Sequence, residues 1–189
     1  MKQKEIEDIV QRVKNLKQSK IVIGIDGRCG SGKTTLASEL GSVFHANVFH
    51  LDDYFLRKEQ RTAERYAEPG GNVDRERFFE EIGCKLHTDE DIVYAPFDCE
   101  TMQIQEEICV KQTKVTVIEG SYSMHPYLRD LYDLRIFLDI DYDLQIKRIK
   151  KRNPDSVKMF IDKWIPLEEK YFSYFDIEKQ CDIILKAEG

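Results

Sequence analysis

The chain has 189 residues, which predicts one domain over residues 1–189 that is large enough to bury a core without disulfides or bound metal. Its 29 lysines and arginines against 35 acidic residues give a formal net charge of −6, which argues against a nucleic acid polymer or an anionic membrane as partner. The five cysteines are scattered without a C-x-x-C pair, and no apolar run is long enough to span a bilayer, so we expect a soluble cytoplasmic protein with free thiols.

The first predicted element is an amphipathic helix over about residues 3–18. Its apolar residues recur at helical spacing: Ile6, Ile9, Val10, Val13 and Leu16. Such a stripe usually packs against the domain and does not bind a partner. No pattern fixes the oligomeric state, so a homo-oligomer stays open.

A phosphate-binding loop follows the first predicted strand. Residues 21–25 are apolar, residues 35–44 are helix-prone, and residues 27–34 between them fit the pattern G-x-x-x-x-G-K-[ST]. The start of the helix offers free N–H groups and the positive end of its dipole to an anion. The residues predicted to bind ATP are Gly27, Arg28, Cys29, Gly30, Ser31, Gly32, Lys33, Thr34 and Thr35. A glycine-rich turn that matches by chance is the alternative.

Three side chains of this loop carry separate predictions. Lys33 supplies a mobile positive charge for the β and γ phosphates, and Thr34 offers a hydroxyl to Mg²⁺. Cys29 lies near a helix N-terminus, a setting that can lower the pKa of a thiol. The sequence therefore predicts a reactive cysteine that bound ATP shields.

A second short strand over residues 47–51 ends at Asp52. In that position a carboxylate can accept a proton from a substrate hydroxyl, or hold Mg²⁺ through water. The alternative is that Asp52 or Asp53 only caps the following turn. Polar residues 57–72 then predict a mobile surface excursion, and residues 74–86 predict a helix with Asp74 as its N-cap.

The remaining strands define the fold class. Residues 92–94 and 104–110 are predicted strands of an antiparallel flap on either side of residues 95–99, and residues 115–118 and 134–138 are predicted buried strands. Apolar strands alternating with helices indicate an α/β fold with a central parallel sheet covered on both faces. We expect the three-layer sandwich of a P-loop NTPase, with a small flap and a helical lid.

The carboxyl ends of these strands gather the polar residues at one edge of the sheet, where ligands of such folds bind. The loop, Asp52 and Glu119 all follow strands in this way. Glu119 is predicted to order metal-bound water opposite Thr34. The alternative is that Glu119 is only an acid at the edge of the sheet that is solvated or paired with a lysine.

The predicted helix over residues 142–152, which Asp141 caps, carries two arginines one turn apart. Arg148 and Arg152 could clamp the transferring phosphate as a lid over residues 148–165 closes. The alternative is that these cations only complement the helix dipole. A cluster of aromatic residues further on is expected to pack in the core: Trp164, Tyr171, Phe172, Tyr174 and Phe175.

In this order and spacing the motifs resemble the uridine kinase and phosphoribulokinase group of P-loop kinases. The matching segments are Ile23–Thr35, Leu51–Phe55, Asn72–Asp74, Tyr94, Ile118–Gly120 and Leu128–Asp139. The resemblance implies an ATP- and Mg²⁺-dependent kinase that phosphorylates a small-molecule hydroxyl acceptor.

The resemblance also implies roles for individual residues. Asp52 matches the general base on the ribose hydroxyl, and Lys33, Arg148 and Arg152 match the residues that assist phosphoryl transfer. Three further positions match the substrate pocket: Tyr54, Asp74, which would hold ribose hydroxyls, and Tyr94, which would contact the base.

The acceptor pocket departs from the family pattern at Cys99, which stands where the family has a base-reading histidine. A thiol is a weak hydrogen-bonding group compared with imidazole. A nucleoside or riboside is the expected acceptor. A kinase of another small alcohol, such as a sugar or a vitamin precursor, and a regulatory module that binds ATP without catalysis are the alternatives.

Overall fold

A five-stranded parallel sheet forms the centre of the protein in a computed structural model that describes residues 3–189. Numbered in chain order, the strands are β1 (Ile21–Gly27), β2 (Asn47–His50), β3 (Ile92–Tyr94), β4 (Phe97–Asp98), β5 (Gln103–Ile104), β6 (Ile108–Val110), β7 (Val115–Glu119), β8 (Leu134–Asp139) and β9 (Ile183–Lys186). The central sheet has the order β2-β7-β1-β8-β9, and every pair of neighbours in it is parallel.

Helices cover both faces of this sheet. They are α1 (Gln3–Asn15), α2 (Lys33–Phe44), α3 (Ala63–Ala67), α4 (Arg75–Glu81), α5 (Tyr142–Arg152), α6 (Val157–Met159) and α7 (Ile165–Phe175). Alternate residues of β1 point to opposite faces, so Val22 packs in one apolar cluster and Ile23 in the other. The first cluster includes residues of α4 and α7, and the second includes residues of α1 and α2. The predicted three-layer P-loop fold is confirmed.

Several predicted helix boundaries match local chemistry. Asp141 caps α5 by accepting a hydrogen bond from Asp143 N at 3.0 Å, and Asp74 caps α4 in the same way. Helix α4 ends at Glu81, earlier than the sequence predicts, and a 3-10 turn over Gly83–Lys85 follows it. A glycine inside a helix costs backbone entropy, which favours an end before Gly83.

The predicted flap lies outside the central sheet as two antiparallel ribbons, β3 with β6 and β4 with β5. The single strand predicted over residues 104–110 is divided into β5 and β6, and the Gln105 N–H donates to Pro96 O at 2.8 Å at the end of the β4–β5 ribbon. The excursion over residues 57–72 contains helix α3. Arg65 of that helix fastens it through hydrogen bonds to Gly71 O and Glu76.

Strand β9 is absent from the sequence-based assignment, and it extends the sheet at the edge of β8. Only Ile183 of its four residues is buried, so the apolar pattern of the strand is weak. Within residues 3–189, no helix combines the length and the apolar character that crossing a bilayer requires.

The end of β1 carries a buried carboxylate, Asp26, that joins three parts of the fold. It accepts hydrogen bonds from Gly27 N at 2.7 Å, from Tyr122 N at 3.2 Å, from Met124 N at 2.9 Å and from the Tyr171 hydroxyl at 2.8 Å. Burial raises the pKa of Asp26 from 3.8 to about 6, and the hydrogen bonds and the Lys33 charge oppose that rise.

We predict that Asp26→Asn lowers the free energy of unfolding by about 1–3 kcal/mol, because the new amide NH₂ group faces N–H donors that lose their acceptor. Urea unfolding monitored by circular dichroism measures the change. Tyr171→Phe removes a single donor and is expected to cost less. An Asn variant as stable as the wild type would contradict the predicted role.

A pH series adds a second readout on the same variant. Between pH 3.8 and about 6 the folded state binds more protons at Asp26 than the unfolded state does. This residue therefore contributes stability at low pH that is lost as the pH rises through about 6. The contribution should be missing in Asp26→Asn.

Candidate active site

A cavity of about 800 Å³ lies at the carboxyl ends of the central strands. The loop between β1 and α2 forms one wall, and Asp52 and Glu119 lie in the same cavity. Arg148, Arg152 and residues 185–188 beyond β9 complete the lining on the helix α5 side. The structure thus brings together most of the residues that the sequence predicts for nucleotide binding and catalysis.

The loop has the backbone geometry that a phosphate cradle requires. Gly27 has φ +140°, and a Cβ there would lie 2.1 Å from Leu138 O, so only glycine fits. Gly32 has φ +104°, and a Cβ there would meet nothing within 4 Å. Open space therefore lies above the start of α2. The Ser31 hydroxyl is buried without a hydrogen-bond partner among residues 3–189. The first N–H groups of α2 also have no intrahelical acceptor, so this donor set fits an oligophosphate.

Lys33 folds back along the loop that carries it. Its Nζ donates to Gly27 O at 2.7 Å and to Arg28 O at 3.2 Å, and lies 3.2 Å from the Ser121 hydroxyl. An ammonium group has three protons, and these contacts use all of them. A phosphate that binds Lys33 must therefore replace one of these partners.

Thr34 and Glu119 meet at the predicted metal position. Thr34 Oγ1 donates to Glu119 Oε1 at 3.1 Å, and His50 Nδ1 lies 2.6 Å from the same oxygen. The contact with Glu119 is the main cause that raises the pKa of His50, and Asp53 and Asp52 add to it. Sequence reasoning missed His50, although it ends β2 directly beside Glu119 of β7 in the parallel register.

Asp52 lines the cavity from a short 3-10 turn, Leu51–Tyr54, that follows β2. The N-cap of this turn is His50 and has no side-chain capping bond, so the structure gives Asp52 no capping role. Burial within the cleft raises the pKa of Asp52, and the charges of Glu119, Glu168 and Asp53 raise it further. The charge of Lys33 opposes this rise. A carboxylate with a raised pKa at a cleft wall is suited to accept a proton.

Tyr54, which the sequence predicts to contact the substrate, does not line the cavity. The same turn that directs Asp52 to the cavity directs Tyr54 into the core, where it is fully buried. Its hydroxyl donates to Glu81 Oε2 at 2.9 Å, and the Arg77 guanidinium lies 4.1 Å from its ring centroid. Tyr54 therefore supports the turn from below.

Asp74 and Tyr94 also lie away from the lining of this cavity. Asp74 is 1% exposed, and its carboxylate caps α4 and lies 3.4 Å from Arg57 Nε. Tyr94 packs edge-on against Phe49 with ring centroids 5.3 Å apart. This arrangement gives no support to the predicted contacts of Asp74 with the ribose and of Tyr94 with the base.

Further side chains of the cavity come from the segment after the Asp52 turn, from the flap and from the π-helical segment Phe160–Trp164. They include Phe55, Arg61, Tyr66, Cys99, Met102 and Trp164. Burial raises the pKa of Cys99, the charge of Arg61 opposes the rise, and the charge of Asp52 adds to it. Arg61 donates from Nε to Leu56 O at 2.8 Å and has no carboxylate partner among residues 3–189.

The aromatic cluster near the C-terminus divides between core and surface. Tyr171 and Phe172 are buried as predicted, whereas Tyr174 is 69% exposed. Trp164 lines the cavity, so its predicted core role is wrong.

The two predicted lid arginines have different surroundings. Arg148 Nη1 donates to Gly30 O at 3.0 Å, and its Nη2 donates to Glu188 O at 2.5 Å. Arg152 is exposed and donates from Nε to Asn153 Oδ1 at 2.8 Å. Arg148 therefore fastens the phosphate loop, whereas Arg152 lines the cavity without a contact to the loop among residues 3–189.

Cys29 is not the reactive thiol that the sequence predicts. It is 9% exposed, and burial together with the Glu168 carboxylate raises its pKa to about 12. Gln145 Nε2 lies 3.3 Å from its Sγ. A nearby helix N-terminus cannot offset burial beside a negative charge.

Helix α7 supplies two acids that sequence reasoning missed. Glu169 accepts from Arg28 Nε at 2.5 Å and from Arg28 Nη2 at 2.9 Å. Glu168 accepts from Cys29 N at 3.0 Å. Contacts between positions so distant in the chain leave no local pattern, so nothing in the sequence identifies them.

Comparisons with known proteins were made by sequence and by structure. No protein-family model matches the chain. A uridine kinase of Chlamydia pneumoniae is 30% identical over 183 residues, covering 87% of this chain and 81% of that protein. A uridine kinase of Ligilactobacillus salivarius (strain UCC118) is 27% identical over 191 residues, covering 93% of this chain and 88% of that protein.

Solved structures share the fold. One from Bacillus stearothermophilus, described as a possible uridine kinase, superposes with a TM-score of 0.74 at 21% identity, covering 96% of this chain and 97% of that one. D-glycerate 3-kinase from Cryptococcus neoformans gives a TM-score of 0.57 at 16% identity, covering 87% and 84%. At these identities the likeness concerns the fold alone.

We predict that iodoacetamide at pH 8 labels Cys84, Cys99 and Cys109, which are exposed, well before Cys29. The raised pKa leaves almost no thiolate at Cys29. Peptide mass spectrometry follows each site over time. Labelling of Cys29 at a rate equal to that of the exposed thiols would contradict the buried, protonated state.

Proposed function

We propose a function for the chain on the basis of its family, because the chain belongs to the uridine kinase family. It is an ATP-dependent phosphotransferase that phosphorylates a hydroxyl of a small metabolite, and a nucleoside or riboside is the acceptor class we favour. The observation that carries this proposal is Asp52, a carboxylate with a raised pKa that shares one cavity with Lys33 of the phosphate loop. Phosphoryl transfer needs the group that takes the proton of the acceptor hydroxyl and the group that holds the transferring phosphate in one site.

The loop is proposed to hold the triphosphate of ATP. Backbone N–H groups at the start of α2 and the Ser31 hydroxyl would donate to phosphate oxygens, and Lys33 would exchange a loop carbonyl for a phosphate. Thr34 and Glu119 offer the oxygen ligands that Mg²⁺ prefers. Bound Mg²⁺ neutralises charge on the transferring phosphate.

Asp52 is proposed to accept the proton of the attacking hydroxyl. It lines one cavity together with the loop and Cys99, so an acceptor bound in that cavity would present its hydroxyl to both the carboxylate and the γ phosphate. Arg152, and the segment over residues 148–165 as a lid, are proposed to close over the phosphate. The cytoplasmic location stays a prediction of the sequence, and a homo-oligomer stays open.

A kinase of another small alcohol is the second candidate. Cys99 lines the cavity together with Asp52 and stands where the family has a histidine that reads the base, and the Arg61 guanidinium of the same lining has no carboxylate partner among residues 3–189. A guanidinium in that position favours an acceptor that carries a carboxylate or a phosphate.

A coupled ADP-release assay over nucleosides, sugars and vitamin alcohols, neutral and anionic, tests the acceptor class. Each acceptor is offered with ATP and with GTP. We expect ATP with a nucleoside or riboside to give the fastest turnover. An anionic sugar or vitamin acceptor that surpasses every nucleoside would favour the second candidate. Tight ATP binding without turnover of any acceptor would favour a regulatory module.

We predict that Asp52→Asn reduces kcat by roughly 10²–10⁴ while ATP affinity stays near the wild-type value, because the amide keeps the shape but accepts no proton. Asp53→Asn is the matched control and should be milder. Steady-state kinetics and calorimetric ATP binding separate the two effects. Loss of Mg·ATP binding in Asp52→Asn would reassign the residue to the metal site, with Glu119 the next candidate base.

The pH profile of kcat/KM provides a further check on Asp52. The base works in its ionised form, so activity is lost as the pH falls through its pKa. Because burial and neighbouring acids raise that pKa, the acid limb should lie above the ordinary range for an aspartate. A limb at or below that range would contradict Asp52 as the base.

We also predict that Lys33→Ala abolishes measurable transfer. The lysine neutralises charge on the transferring group, and the loss of such a contact costs on the order of 3 kcal/mol or more in the transition state. Because Lys33 also holds loop carbonyls, the melting temperature is measured alongside activity. A stable variant with near-normal turnover would end the kinase proposal.

A further inference from the structure

Glu168 of α7 is a buried acid in the wall of the cavity, only 4% exposed. Its Oε2 accepts the N–H of Cys29, within the phosphate loop, at 3.0 Å. Its Oε1 accepts the hydroxyl of Ser121 at 2.6 Å. A carboxylate therefore takes up one of the backbone donors of a loop whose donors serve phosphate in P-loop proteins.

The same carboxylate is linked to the loop lysine. Ser121 donates to Glu168 and lies 3.2 Å from Lys33 Nζ, so a continuous chain of hydrogen bonds joins ammonium, hydroxyl and carboxylate. Lys33 is the residue that reaches the β and γ phosphates in such loops. Glu168 thus engages, directly or through Ser121, two groups that a terminal phosphate would use.

The position of Glu168 points to the γ phosphate. Glu168 lines the same cavity as Asp52, the proposed base, and contacts the phosphate loop directly. The transferring phosphoryl group passes through this region, because it leaves the loop for a hydroxyl held at Asp52. Two anions cannot share the Cys29 N–H, and like charges in a partly buried site repel strongly.

Helix α7 is fastened to the loop at the neighbouring residue as well. Glu169 holds Arg28 with a bidentate contact, so the helix stays attached when Glu168 moves. The residues just before α7 form a π-helical segment, Phe160–Trp164, within the predicted lid. Irregular turns of this kind are frequent at functional sites and allow a local change of register.

We propose that Glu168 is a specificity-determining residue whose carboxylate competes with the γ phosphate for the Cys29 N–H. ATP displaces its carboxylate, whereas ADP leaves the contact in place. Glu168 therefore weakens the binding of ATP relative to ADP and couples entry of the γ phosphate to a movement next to the lid. This inference rests on the proposed function, because it takes ATP as the phosphate donor.

Glu168→Gln tests the proposal by removing the charge while keeping the length of the side chain and one carbonyl oxygen. Calorimetry with Mg²⁺ and no acceptor measures the Kd of a non-hydrolysable ATP analogue and of ADP. We expect the analogue to bind about ten-fold or more tightly in the variant, as removal of a close like charge implies. The Kd of ADP should change by less than about two-fold, since it lacks the competing group.

Glu169→Gln is the matched control, because it removes the same charge one residue along the same helix. It should leave the ratio of the two affinities unchanged. An unchanged ratio in Glu168→Gln, equal shifts for both nucleotides, or weaker binding of the analogue would each overturn the proposal. Should Glu168→Gln fail to fold, Glu168→Asp shortens the reach to Cys29 N and is expected to shift the ratio in the same direction.

The outcome is separable from a failure of the proposed function. A wild-type protein that binds neither nucleotide would refute the nucleotide site and the role of Glu168 together. Binding of both nucleotides, with a ratio that the variant does not change, would refute the role of Glu168 alone and leave the kinase proposal standing.

Discussion

The carboxylate of Asp26 is the contact on which the geometry of the site depends. It lies at the end of the central strand β1 and accepts hydrogen bonds from the phosphate loop, from the segment after β7 and from helix α7. Burying an acid there is costly unless every oxygen is satisfied, so the three elements are held in one relative position. Because Glu168 and Tyr171 both belong to α7, the hydrogen bond from Tyr171 to Asp26 also positions the helix that contacts the loop.

The parts of the fold and site that sequence could predict are those whose cause is local. The loop over residues 27–34 is encoded by its glycines, and Asp52 and Glu119 follow apolar strands directly. Since parallel strands in one sheet present their carboxyl ends on one side, strand identity alone was enough to bring these acids together. The caps at Asp74 and Asp141 also follow from nearest neighbours.

The parts that sequence could not predict depend on contacts across the chain. Glu168 and Glu169 meet the loop only because α7 returns to it, and burial reversed the pKa expected for Cys29. Tyr54 was misplaced because a 3-10 turn directs residues two apart to opposite sides, a detail that motif spacing does not record.

Trp164 gives the site a property that lies outside catalysis. It is the only tryptophan of the chain, it stands in the wall of the active-site cavity, and the ammonium of Lys163 lies 4.5 Å from its ring centroid. An indole held against a cation on one side and a ligand cavity on the other responds to changes in local polarity and charge. The protein thus carries its own optical reporter, and we expect its emission to follow occupancy of this cavity without any attached dye.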